Sequence, residues 1–170
     1  HIYIIFVFMI KKLKIRSAFK DDMSSVHNLI KELAKFERNP DQVIISVNDL
    51  KKHGFGKNPL FKCIVAEIEN QIVGMALFYP RYSTWRGPTI HLEDLIVKEK
   101  WKSNGIGRAL YKEFIQYAFS QKVRRVEWVV LDWNKNAIDF YNISGAKVLQ
   151  DWRTVQMDYE TMDKYLKNIN

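Results

Sequence analysis

The stretch WKSNGIGRALYKEF sets Lys102, Ser103, Asn104, Gly105, Ile106, Gly107 and Arg108 between a strand-like run, IHLEDLIV, and an amphipathic helix. Glycines at such a junction let the main chain approach another group closely. The first amides of the following helix have no partner within it and point toward whatever that group is. Three chemistries compete for the turn. A P-loop ends in Gly-Lys-Ser/Thr, whereas Gly107 is followed by Arg108 and Ala109. A dinucleotide fingerprint places a third glycine where Leu110 stands. What remains is a diphosphate held by consecutive main-chain amides and the helix dipole, with Lys102 and Arg108 adding charge. A purely steric use of the glycines is the competing explanation.

Two other side chains have the chemistry to act. Glu93, inside the apolar strand, would be desolvated there, and its pKa would rise toward the range where a carboxylate serves as a general base. The alternative is an ion-pair partner with no role in chemistry. Asp94 falls on the opposite face of a regular strand, structural or adjacent to a substrate. Tyr141, in DFYN, carries a phenol that either packs or donates a proton.

The elements that must position these residues follow from periodicity. LKIRSAF reads as a strand, with Asp21 and Asp22 as caps for a helix carrying Val26, Leu29, Ile30, Leu33 and Ala34 on one face. Pro40 ends it near Glu37. A second helix spans VNDLKKHG, closed by Gly54, and FGKNPL is loop. FKCIVAEIE and QIVGMALFY form a hairpin about Glu69-Asn70-Gln71, and PRYSTWRGP is a loop. Thr89 to Val97 is a long strand, and after the glycine turn Ile106, Leu110, Phe114 and Tyr117 share a helix face. VRRVEWVVL is a strand. NKNAIDFYNISG is a helix capped by Asn134 and stopped by Gly145. AKVLQ and WRTVQMDY form a last strand pair, and TMDKYLKNI a terminal helix. Strands and helices in this order predict an α/β or α+β sheet with helices packed on it.

The 170 residues suit one domain with a sizeable core, at 47% hydrophobic content. Residues 1–11 are set aside as an N-terminal extension or expression remnant, with Met9 a candidate natural start and an extended first strand the alternative, and 12–170 form the domain. The opening HIYIIFVFMI is too short to span a bilayer, and its lysines follow the apolar run, unlike a signal peptide. No membrane partner is expected. A formal charge of +8 favours an anionic partner without choosing among nucleic acid, membrane surface and phosphorylated cofactor. Cys63, the single cysteine, is expected to be a buried, inert thiol, and the absence of disulfides fits a cytoplasmic location. His27, His53 and His91 have no metal-ligand spacing, so no metal is expected, and no Gly-x-Ser-x-Gly elbow is present.

The turn Lys102-Ser103-Asn104-Gly105-Ile106-Gly107 resembles the pyrophosphate loop of the GNAT acetyltransferases, Arg/Gln-x-x-Gly-x-Gly/Ala, with Lys102 replacing the leading Arg or Gln. LIKELAKFE, DLKKHGFGKNPLF, the LED before the turn and DWN-x4-DFYNISGA look like the spermidine/spermine and thialysine N-acetyltransferase branch, from about Lys14 to near Tyr159. The resemblance implies the acyl-CoA N-acyltransferase fold, a mixed, mostly antiparallel central sheet flanked by helices. It implies acetyl-CoA as cofactor and the primary amine of a small molecule as acceptor. Such a transfer needs a base for the ammonium, donors for the carbonyl oxygen and an acid for the departing thiolate.

Carried over residue by residue, Glu93 is the base and Tyr141 the acid. The main chain of Leu95, Ile96 and Val97 meets the pantetheine arm and the thioester oxygen. The loop from Lys102 to Arg108 takes the diphosphate, and Asn134 and Ala137 are further cofactor contacts. The aromatic-acid pair that helps bind the amine, at a homodimer interface, is Phe36-Glu37 here. Trp85, Glu93 and Asp94 complete the substrate set, but the acid expected ahead of the loop tryptophan is Ser83. One fewer carboxylate in a basic chain points to an amine shorter than spermidine, a diamine or the lysine-like thialysine. A noncatalytic acetyl-CoA sensor on the same fold is one alternative. A nucleic-acid binder is the other; it has tyrosines and tryptophans to stack on bases but no basic stripe among them, and Arg124-Arg125 is the only adjacent arginine pair.

Overall fold

The computed structural model describes residues 12–168, so the stretch set aside at the N-terminus lies outside the described residues. The chain divides into two compact units at Val129/Val130. In the first, the order is β1 (Lys14–Ser17), α1 (Met23–Phe36), α2 (Val47–Phe55), β2 (Lys62–Ile68), β3 (Gln71–Ser83), β4 (Gly87–Val97), α3 (Ile106–Ser120) and β5 (Val126–Glu127). The five strands lie in the order β1-β2-β3-β4-β5. All neighbours are antiparallel except the parallel pair β4–β5. This is the mixed, mostly antiparallel α/β sheet that the resemblance implies.

The apolar runs of β2 and β3 are continuous because both faces of the sheet are covered. Ile64, Ala66, Val73, Ala76 and Phe78 face one way and pack with Ile106, Leu110, Phe114 and Ala118 of α3. Cys63, Val65, Ile72, Met75 and Leu77 face the other and pack with Met23, Val26 and Leu29 of α1 and Leu50 of α2. Phe114 is fully buried with its ring centroid 5.1 Å from that of Phe78, and truncating it to alanine would cost roughly 3–5 kcal/mol. Cys63 is buried as expected, and burial pushes its thiol up to about 12.

Asp22 does not cap α1 with its side chain. Its carboxylate accepts from Phe19 N at 2.7 Å and from Arg16 Nη1 at 2.6 Å, tying a short 3-10 turn (Lys20–Asp22) to β1. The guanidinium holds that carboxyl below its usual range. A capping box starts α2: Ser46 Oγ accepts from Asp49 N at 3.1 Å, and Asp49 Oδ2 accepts from Ser46 N at 2.8 Å. The helix runs through Gly54 to Phe55, because the Phe61 ring fills the space a Cβ at Gly54 would need, 2.7 Å away.

The loop expected over PRYSTWRGP is mostly strand, since β3 continues to Ser83 and β4 begins at Gly87. Proline is tolerated here because the ribbon outruns its outer neighbours. Pairing with β2 ends at Phe78 and pairing with β5 begins at Ile90, so Pro80 and Pro88 have open edges for their missing N–H groups. The strand expected over VRRVEWVVL shortens to Val126–Glu127, whose ladder with β4 ends at His91, just before a register slip between Leu92 and Asp94.

The second unit contains α4 (Lys135–Ile143), in which Asn134 Oδ1 accepts from Ala137 N at 3.3 Å, and Gly145 follows at a φ of 89°. Both are the expected helix ends. The last strand pair does not form: AKVLQ and WRTVQMDY are irregular, and Trp152, Val155 and Met157 are exposed, so no buried face fixes a register. α5 (Tyr159–Asn168) starts two residues earlier than expected because Asp158 Oδ1 accepts from Thr161 N at 2.8 Å.

Candidate active site

The glycine turn leaves β4 through a 3-10 turn, Glu99–Trp101, and enters α3 with Gly105 as N-cap. Ser103 and Gly105 both take left-handed backbone, at φ 62° and 75°. Asn104 does not cap the helix; its Nδ2 donates back to Trp101 O and Lys102 O at 3.1 and 3.0 Å, which closes the turn. Gly105 has no side chain, so no side-chain group caps the first amides of α3. A Cβ at Gly105 would meet nothing within 4 Å, and one at Gly107 only Val97 Cγ2 at 3.8 Å, an ordinary contact. No packing within the protein calls for the absent side chain at 105. Its φ does, and the space outside it is open. Ser103 and Arg108 are exposed beside these amides. The donor set and the cations suit a diphosphate. Lys102 is partly engaged: Nζ lies 2.6 Å from Glu99 Oε2 and 4.9 Å from the centroid of the Phe36 ring.

On β4 the register slips. Leu77 pairs with Asp94 but Phe78 with Leu92, so Glu93 is the extra residue of a β-bulge. The side chains report the same slip. Leu92 and Leu95, three apart, both pack on the α3 side, whereas Ile96 packs with α1 and α2. A regular strand would separate Leu92 from Leu95 across the sheet. The expectation that Asp94 lies across the strand from Glu93 therefore fails. Asp94 shares its alternation with Ile96 on the α1 side, and there it feels the charges of Glu93 and of Glu37 at the end of α1.

The expected desolvation falls on the other acid of the pair. Glu93 is half exposed, at 51% of its side chain, and accepts a hydrogen bond from Tyr79 Oη at 2.8 Å. Asp94 is pushed up to about 7, first by burial and then by its neighbours Glu93 and Glu37. Glu37 is itself raised by burial. His91 Nε2 lies 3.8 Å from Glu93 Oε2, and its Nδ1 is buried without a partner. Burial holds the imidazole below its ordinary value, with Glu93 opposing and Arg81 assisting.

Phe36, Glu37, Glu93, Asp94 and Lys102 are thus linked through contacts and shared charge at the end of α1, the bulge of β4 and the glycine turn. Trp85 sits at the tip of the β3–β4 ribbon, 77% exposed, its main-chain N–H donating to Ser83 Oγ at 3.3 Å. The side chains of Leu95, Ile96 and Val97 belong to the two cores, which leaves their main chain for any ligand. Beyond His91, β4 has no strand partner on its β5 side among the described residues, so alternate main-chain groups there have no sheet partner. Asn134, Ala137 and Tyr141 are on or beside α4 in the second unit. Tyr141 is buried, with the Phe140 ring edge-on at 5.4 Å. Tyr79 and His91 escaped the sequence analysis because nothing in an alternating strand marks which side chain reaches a bulge on the neighbouring one. No group of three or more potential metal ligands occurs among the described residues, and no helix there is long and apolar enough to cross a membrane.

The model of the Acetyltransferase (GNAT) family matches residues 23–146. Thialysine N-epsilon-acetyltransferase of Sus scrofa is 40% identical over 159 residues, covering 87% of this chain and 94% of that protein. The Bos taurus enzyme of the same name is 39% identical with the same coverage. Among solved structures, an integron cassette protein of V. cholerae superposes with a TM-score of 0.74 at 20% identity, over 92% of this chain and 98% of that one, which speaks for the fold. The chain belongs to the acetyltransferase (GNAT) family and is an N-acetyltransferase, an enzyme that moves an acetyl group onto an amine.

Proposed function

We propose that the acetyl donor is acetyl-CoA, gripped by the main-chain amides from Ser103 to Arg108, and that the acceptor is the terminal amine of a short diamine or a lysine-like amino acid such as thialysine. The observation that carries this is the pairing of an open, uncapped helix start with a carboxylate group, Glu37, Glu93 and Asp94, on the neighbouring strand and helix end. The relatives named for thialysine support the acceptor class, and so does Ser83 standing where a polyamine site would have another acid. Bound at the turn, acetyl-CoA supplies an acyl carbon activated as a thioester. Lys102 and Arg108 add positive charge beside the amides, Asn134 and Ala137 contribute further contacts, and the main chain of Leu95 to Val97 offers hydrogen bonds along the unpaired edge of β4.

In this mechanism Glu93 takes the proton that the substrate ammonium must lose before its nitrogen has a lone pair. Half exposed, it can do so directly or through a water. Glu37 and Asp94 attract the cationic substrate, with Phe36 and Trp85 supplying apolar contact along its methylenes. Tyr141 donates its phenolic proton to the departing sulfur, an assignment supported by its place in the WN-x4-DFY motif. A homodimer in the cytoplasm completes the reading, on the strength of the family resemblance and of Cys63 as the one, unpaired cysteine; light scattering tests the dimer. The deciding experiment compares kcat/KM for spermidine, short diamines and thialysine with acetyl-CoA. A clear preference for spermidine rejects the acceptor class, and no uptake of coenzyme A in a calorimetric titration rejects the cofactor site.

A further inference from the structure

Glu93 is the extra residue of a bulge, so ladder pairing does not fix it, and half of its side chain meets solvent. A glutamate in that position has several rotamers available. Tyr79 limits them. On β3 it pairs directly with His91, and its hydroxyl reaches diagonally to the residue two further along, donating to Glu93 Oε2 at 2.8 Å. The Tyr79 ring lies against the His91 imidazole, with centroids 5.3 Å apart and planes 31° from parallel, which holds the phenol's direction. Resting on the reading of Glu93 as base, we propose that Tyr79 is the positioning residue of the site: it occupies Oε2 and turns Oε1 toward the substrate ammonium.

The charges around this pair come from four elements. β3 carries Arg81, β4 carries His91 and Asp94, β5 carries Glu127, which faces His91 across the parallel pair, and Glu37 at the end of α1 acts on Asp94. Burial and the contact with Glu93 push the Tyr79 phenol up to about 12, so it stays a donor wherever the enzyme works. His91 cannot take over, because 3.8 Å is too long for a direct hydrogen bond. The proton balance is simple. The ammonium proton passes to Oε1, while Tyr79 keeps its own and stays hydrogen-bonded to Oε2.

Tyr79→Phe keeps the ring against His91 and removes only the donor. It is expected to lower kcat about tenfold, equivalent to ~1.4 kcal/mol, with the KM for the amine within about twofold of the parent value. The KM for acetyl-CoA and the melting temperature stay near those of the parent enzyme. A merely structural tyrosine would lower the melting temperature and leave kcat at saturation unchanged. The companion measurement is the cycle with Glu93→Gln. If Tyr79 acts through Glu93, the double variant is no slower than Glu93→Gln alone. Multiplying losses in the cycle, or an unchanged kcat, overturn the positioning role while the base stands. Full activity in Glu93→Gln removes the base itself, and the role of Tyr79 with it.

Discussion

Alanine at Gly105 and alanine at Gly107 have opposite expected effects, and the contrast separates a turn that needs glycine for its shape from one that needs it for a ligand. Gly107 lies in the first turn of α3, and its new Cβ would rest 3.8 Å from Val97 Cγ2, directed at the strand behind the helix. Alanine there removes backbone freedom from the unfolded chain and adds an ordinary contact, worth up to ~0.5–1 kcal/mol of added stability. In a domain of this size ~1 kcal/mol is about 2–4 °C of melting temperature, so Gly107→Ala should melt one to a few degrees higher, roughly. Gly105 has a φ of +75°, where a Cβ costs ~1 kcal/mol, and Gly105→Ala should melt a few degrees lower, about the same amount in the other direction.

The binding effects do not track these changes. A Cβ at Gly105 enters open space beside the uncapped amides, where an approaching diphosphate must go. Losing one or two charge-assisted hydrogen bonds there costs roughly 1.5–3 kcal/mol, or about 10- to 100-fold in the KM for acetyl-CoA, with kcat at saturation little changed. Gly107→Ala should keep that KM within about threefold, since its methyl group faces Val97. Thiol release followed over a range of acetyl-CoA at saturating amine, with calorimetric melts of both variants, measures all four quantities. If Gly105→Ala loses stability but keeps the parental KM, the turn holds no diphosphate, and the glycine serves chain geometry alone.

Tyr141→Phe should reduce kcat by roughly 10- to 100-fold while leaving coenzyme A affinity unchanged, read by single-turnover kinetics beside a binding titration. Asp94→Asn changes the pH dependence of stability. A carboxyl raised in the fold from 3.8 to about 7 stabilises while protonated, fully below about pH 4, and that contribution is lost as pH rises through 7. The asparagine variant should therefore be more stable than the parent at pH 8, by roughly 1–3 kcal/mol in urea melts, and should converge with it near pH 4. Cys63, buried with its thiol pushed up to about 12, should react with thiol reagents at pH 8 only as fast as the sheet opens, and at once in denaturant.

Much of the fold was legible because periodicity and burial agree. Val26 and Leu29 of α1 and Ile106, Leu110 and Phe114 of α3 keep helical spacing, and all are buried. The β2–β3 hairpin is marked by polar residues between two apolar runs, and Glu69 and Asn70 take the positive φ values that a two-residue turn requires. The β3–β4 ribbon over PRYSTWRGP was not legible, because a proline excludes a central strand and says nothing against one with open edges. The expected last strands failed for a related reason. β-propensity in WRTVQMDY describes how well residues fit a half-buried pleated surface, and no such surface covers Trp152 or Val155.

The site was legible where chemistry is written in residue type and obscure where it depends on register. The glycine turn carries its own signal, since the types at Gly105 and Gly107 restrict what the main chain there can do. The bulge at Glu93 does not, because it is a difference in count between two strands, and neither strand records the count of the other. One trace of it does stand in the sequence. Ile90 and Leu92 alternate with polar neighbours, and Leu95 and Val97 resume the alternation one residue out of phase, with Glu93 and Asp94 at the slip. Ile96, apolar because α1 and α2 cover the other face, hides the change of phase. That slip accounts for the misassigned environments. It leaves Glu93 half exposed under the Tyr79 hydroxyl and turns Asp94 toward Glu37, where burial and the neighbouring charges push its carboxyl up to about 7.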